Sequence, residues 1–114
     1  MYAVIFEVHP TESGNSEYLE IASRLKAFLS NRAGFISIER FKSLSEDGKV
    51  LSLSFWESEE TISDWRNLLE HRMAQKKGKE KLFSSYRIRV AKVERDYTNE
   101  DREEAPLDSN KELI

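Results

Sequence analysis

The chain has 114 residues, a formal net charge of -3, and 39% hydrophobic against 34% charged residues. That is one small domain with one core, too apolar for general disorder and without the basic excess that nucleic acid demands. It has no cysteine, which excludes disulfides, thiolate metal sites and cysteine nucleophiles.

No apolar run approaches the roughly 20 residues needed to cross a bilayer. The stretch Met1 to Val8 lacks the basic start and small-residue cleavage site of a signal peptide. A cytoplasmic protein with no membrane partner is expected.

Tyr2 to Val8 reads as a strand, rich in β-branched and aromatic residues and stopped by Pro10. A loop over Thr11 to Ser16 follows, and Asn15 or Ser16 supplies a helix cap. Tyr18, Ala22, Leu25 and Leu29 then recur at helical spacing, widened by Ile21 and Phe28. Gly34 is placed to help end this helix. Phe35 to Lys42 is a second strand, and Asp47-Gly48 is a hairpin signal. Lys49 to Glu57 is a third strand, with Leu51, Leu53 and Phe55 on one face and Val50, Ser52, Ser54 and Trp56 on the other.

Ser58 caps a second helix with Glu59 and Glu60 in its first turn. Ile62, Trp65, Leu69 and Met73 keep its period, and Gly78 ends or breaks it. An irregular piece, Lys79 to Ser84, leads to a last strand, Tyr86 to Glu94. Thr98 to Ile114 differs in kind, with six acids against two bases. It reads as a flexible acidic tail outside a domain spanning 1–97, with docking on a partner subunit through Leu107, Leu113 and Ile114 as the other reading.

The order β-α-β-β-α-β is that of an α+β, ferredoxin-like unit: a four-stranded antiparallel sheet with both helices on one face. Two helices cover one face only, yet strands one, three and four look apolar on both. A second copy of the sheet is the simplest cover, so a homodimer is expected.

Phosphate loops, G-x-S-x-G and H-E-x-x-H motifs are all absent from the sequence. His9 and His71, the two histidines, fall on different elements, so no metal site is expected. Chemistry then rests on positioning and on an acid or base. Trp65 is a candidate pocket wall. His71 is a candidate proton shuttle, with Gln75 one turn on as its neighbour. Glu7 and Glu39 are acids inside strands, and Glu39 is the second candidate base. Ser52 and Ser54 share a face that suits either a polar pocket or solvent. Ten Lys/Arg against three Glu between Arg66 and Arg95 make a local basic region, from which Arg87 is a candidate anion ligand.

The runs LSLSFWESEETISDWRNLLEHRMAQKKGK and YRIRVAKVERDY, with MYAVIFEV and GFISIERF, resemble the antibiotic biosynthesis monooxygenase family of dimeric α+β barrels. The resemblance covers about Met1 to Tyr97. It implies a homodimer with a pocket between the sheet and helices of each subunit. It also implies oxidation of aromatic or enolisable small molecules by molecular oxygen without flavin, metal or other cofactor. The family's second-helix tryptophan falls on Trp65.

Heme-degrading relatives carry an asparagine in the first strand, where this chain has Glu7. Their axial histidine lies farther past the tryptophan than His71, nearer to Gln75. Thr61, Ser63 and Asp64 precede Trp65 where the oxygenases have an asparagine. The leading expectation is a cofactor-independent monooxygenase. A non-catalytic ligand-binding dimer and a heme-binding protein are the alternatives.

Overall fold

The computed structural model describes residues 1–12, 15–74 and 83–112, apart from the side chains of residues 15 and 70–74. Its elements are β1 (Tyr2–Pro10), α1 (Asn15–Leu29), β2 (Phe35–Lys42), β3 (Val50–Trp56), α2 (Glu59–Ala74), β4 (Phe83–Lys92) and α3 (Leu107–Glu112). The strands form one antiparallel sheet in the order β2-β3-β1-β4. This is the expected ferredoxin-like arrangement. Among the described residues no helix is long and apolar enough to cross a membrane.

Strand β1 sits in the middle and sets the two faces. Val4, Phe6 and Val8 are buried with Tyr18, Leu25 and Leu29 of α1 and Ile62, Trp65 and Leu69 of α2. Alternation turns Ala3, Ile5 and Glu7 to the other, open face.

Strand β3 is apolar on both sides, and pairing decides which side faces the helices. Ser54 lies opposite Val4 and Ser52 opposite Phe6, so both serines and Trp56 take the helix side. The small serines leave room there for aromatic rings: Phe6 meets Trp65 edge-on at 6.0 Å, and Trp56 meets Trp65 at 6.2 Å. Leu51, Leu53 and Phe55 are left on the open face beside Ile5, half-buried.

The β2–β3 connection is a hairpin, but a seven-residue one, Ser43 to Lys49, rather than the shortest Asp-Gly form. The Ser43 hydroxyl accepts from the Ser45 and Glu46 amides, and Gly48 takes φ +79°. Gly34 lies five residues past the end of α1 and therefore turns the chain into β2 instead of capping the helix. Its carbonyl accepts from the Glu57 amide at 2.7 Å.

Strand β4 starts at Phe83, inside the piece expected to be irregular. Phe83 is buried against Phe6, Tyr18 and Tyr86, a gain in apolar burial that extends the strand.

The segment expected as an acidic tail carries local structure. Arg102 lies over the Tyr97 ring and donates to Asn110 Oδ1, Ser109 Oγ and the Thr98 carbonyl. Leu107 on α3 is 80% exposed. Leu113 and Ile114 fall outside the described residues.

Candidate active site

Trp65 is the residue around which a site forms. The α2 period places it one turn beyond Ile62 and before Leu69, so all three point at the sheet. Trp65 is 3% exposed. From β2, Ile38 and Arg40 share the helix-facing side. A row runs across the sheet through Arg40, Ser52, Phe6 and Ile88. Tyr18, Ala22 and Leu25 of α1 close the space from above.

With Phe6, Ile38, Arg40, Ser52, Trp65 and Leu69 they line a cavity of about 20 Å³, nearly filled by its own walls. A separate groove of about 140 Å³ between α1 and α2 adjoins it, and Ile21 and Leu25 line both.

Arg40 gives this cavity its chemistry. One terminal nitrogen, Nη2, donates to the Ala22 carbonyl at 3.1 Å, tying β2 to α1. Its Nε is buried and has no hydrogen-bond partner among the described residues. Next to it, burial pushes the Tyr18 hydroxyl above its usual pKa, and the charge and hydrogen bond of Arg40 only partly offset this. Tyr18 therefore stays a protonated phenol through the physiological range. The pair offers donors to an anionic oxygen under an aromatic wall.

Of the residues expected from sequence, Trp65 is at this cavity, and Ser52 lines it. Ser54 faces the same side but is committed to the core, accepting from Trp56 Nε1 at 2.8 Å. Glu39 and Arg87 are not brought there. Glu39 pairs with Leu53 and Arg87 with Glu7, both exposed on the open face. Glu7 lies on that face too, within 3.4 Å of Arg89 and 3.6 Å of Lys49. His71 belongs to α2, with its side chain outside the described set, and Gln75 lies outside the described residues.

His9 is engaged near the β2–β3 loop, 3.1 Å from Glu46. Glu46 is held below the usual carboxylate range, first by that hydrogen bond and then by the charges of Lys49 and His9. Among the described residues no three His, Asp or Glu side chains converge as metal ligands.

Two larger grooves lie elsewhere. One of about 450 Å³ includes Met1, Phe55 and Val93, and one of about 380 Å³ includes Pro10, Gly48 and Val50. Among the described residues neither adjoins a charged group with a buried, unmet donor, so size alone does not select them.

Arg40 and Tyr18 are functional candidates that the sequence reading misses. The available signal is parity: Arg40 is two residues from apolar Ile38 and thus shares its face, whichever face is buried.

A family model for antibiotic biosynthesis monooxygenase matches residues 1–77. The chain belongs to this family. A relative described as "Jasmonate monooxygenase ABM" from Pyricularia oryzae (strain 70-15) is 46% identical over 93 residues, covering 82% of this chain and 43% of that protein. The chain thus spans less than half of that relative. YqjZ of Bacillus subtilis (strain 168), described as uncharacterized, is 36% identical over 94 residues, covering 82% of this chain and 80% of that protein.

Solved structures match the fold at lower identity. A Mycobacterium tuberculosis protein, Rv0793, superposes with a TM-score of 0.67 at 14% identity over 85% of this chain and 98% of that one. A point mutant of SnoaB, a cofactor-independent oxygenase from Streptomyces nogalater, gives 0.64 at 12% identity over 83% of this chain and 94% of that one. Within the antibiotic biosynthesis monooxygenase family, then, the helix-side cavity of this chain combines the anticipated Trp65 with an Arg40–Tyr18 pair.

Proposed function

We propose that this chain is a monooxygenase that oxidises a small aromatic or otherwise enolisable substrate with molecular oxygen, working as a homodimer without a bound flavin, metal or heme. The observation that carries the reading is the buried aromatic wall of Trp65 and Phe6 beside the Arg40–Tyr18 donors, in a member of this family. The name of the fungal relative supports it, since jasmonate carries a ketone and is enolisable.

The chemistry balances without an external reductant. A base removes a proton from carbon next to a carbonyl. The carbanion forms a carbon–oxygen bond with dioxygen, and the hydroperoxide loses water to leave a new carbonyl. The substrate methylene supplies the electrons: CH2 + O2 gives C=O + H2O. His71, on the same helix as Trp65, is the proposed base. Trp65 holds the flat substrate body.

Oxygen uptake should appear with at least one member of a panel of cyclic ketones, anthrones and jasmonate. Trp65→Phe should lower the rate at least tenfold, and His71→Ala by about 10²-fold or more, the usual scale for a general base. Absence of uptake across the panel would remove the reading.

The homodimer is supported by the uncovered apolar centre of the open face, where Ile5, Leu53 and Phe55 meet. Light scattering should give twice the chain mass, and Leu53→Glu should give monomers, because it sets a charge into that centre.

A further inference from the structure

We propose that Arg40 and Tyr18 form the carboxylate-binding end of the site, so that the ligand is a small monocarboxylic acid with an apolar body. This deepens the monooxygenase reading and rests on it only for what happens to the acid once bound.

A guanidinium withdrawn from water needs acceptors. The Arg40 guanidinium offers only donors. Its Nη2 is used by the Ala22 carbonyl, but its buried Nε has no acceptor among the described residues. Such an unmet donor costs stability for as long as the protein is folded. A transient oxyanion meets that donor only during turnover, whereas a carboxylate meets it for the whole time the ligand is bound and so contributes to binding itself.

Tyr18 adds a second donor next to the first, kept protonated by burial. The guanidinium Nε–H and the phenolic O–H are both able to donate, which suits the two oxygens of a carboxylate better than a single neutral carbonyl. Apart from the Ser52 hydroxyl the remaining walls, Phe6, Trp65 and Leu69 among them, are apolar, which fits a hydrocarbon body and a single charge.

Access follows from the partition. The cavity of about 20 Å³ has room for roughly one water molecule. Ile21 and Leu25 separate it from the groove between α1 and α2. Rotation of those two side chains joins the spaces, letting the carboxylate reach Arg40 while the body lies along the groove.

The test uses the full chain and phenylacetate, cyclohexylacetate and 4-phenylbutyrate, each against its methyl ester. Binding is read by tryptophan fluorescence and by the NMR signal of the Arg40 Nε–H. At least one acid should bind about tenfold or more tighter than its ester and should shift the Nε–H signal. Arg40→Met should erase that preference, and Arg40→Lys should restore part of it.

Equal binding of acid and ester would overturn the assignment. So would a preference that survives in Arg40→Met, or no binding by any of the acids at millimolar concentration. Should Arg40→Met fail to fold, the acid–ester comparison and the Nε–H shift in the unaltered protein still decide. Arg40-dependent binding by acids that provoke no oxygen uptake, with none across the wider ketone panel, would uphold the site and remove the reaction.

Discussion

Trp56→Ala is expected to cost about 3–5 kcal/mol of folding stability, the usual scale for truncating a fully buried large aromatic. Trp56 is 0% exposed. Its ring packs edge-on against Phe35 at 5.1 Å and at a tilt against Trp65 at 6.2 Å. Its indole N–H donates to Ser54 Oγ, itself buried. Removing the side chain opens a cavity at the point where β2, β3 and α2 meet, and leaves the serine hydroxyl without its donor.

A domain of this size has only about 5–15 kcal/mol to lose, so the variant should be marginal at room temperature. Trp56→Phe separates the contributions. It keeps most of the packing and loses the hydrogen bond, and should cost about 1–2 kcal/mol. Urea unfolding with an unchanged slope measures both. A loss below about 1.5 kcal/mol for the alanine variant would mean that the neighbouring rings close the gap unaided.

Gly34→Ala is the second large effect, expected at about 2–5 kcal/mol. Two causes add. Gly34 holds φ +90°, a conformation costing an L-residue about 1–2 kcal/mol. A Cβ there would also stand 2.5 Å from Thr61 Oγ1, closer than van der Waals contact permits, and overpacking of this kind costs about 1–3 kcal/mol.

Thr61 is not free to retreat. It is buried, near Ser58 Oγ at 3.2 Å and donating to the Ala33 carbonyl at 3.4 Å. A double-mutant cycle distinguishes the causes. In a Thr61→Ser background the hydroxyl clash persists, whereas in Thr61→Ala it is relieved and only the backbone strain remains. Equal costs of Gly34→Ala in both backgrounds would show that the contact with Thr61 is not limiting.

The element order is legible because hydrophobic period changes cleanly between 2 and 3.6 along the chain. Tyr18 to Leu29 and Ile62 to Leu69 are helical stripes, and both are found in the core. Trp65 is legible for the same reason. Less can be read wherever the answer depends on pairing. The sequence around β3 shows two apolar faces, and only its register with β1 decides that Ser52 and Ser54 go under the helices.

The same register carries Arg40 inward and Glu39 outward, so the acid that draws notice as a charge inside a strand faces away from the cavity and the arginine beside it faces in. Arg87 draws notice through the basic region around it, but strand parity puts it on the open face. Phe83 is hidden because its burial depends on rings from β1 and α1, far away in sequence. In the last segment, the acidic composition suggests a flexible tail, while Arg102 organises it through contacts with Tyr97, Ser109 and Asn110.

Isotope labelling tests the central claim most directly. Protein stripped of metal and flavin is supplied with ¹⁸O₂ and an enolisable substrate that supports oxygen uptake. One labelled oxygen atom is expected in the product and the other in water, with Trp65→Phe lowering the yield at least tenfold. Label absent from the product, or turnover appearing only after hemin, flavin or metal is added back, would contradict cofactor-free oxygenation.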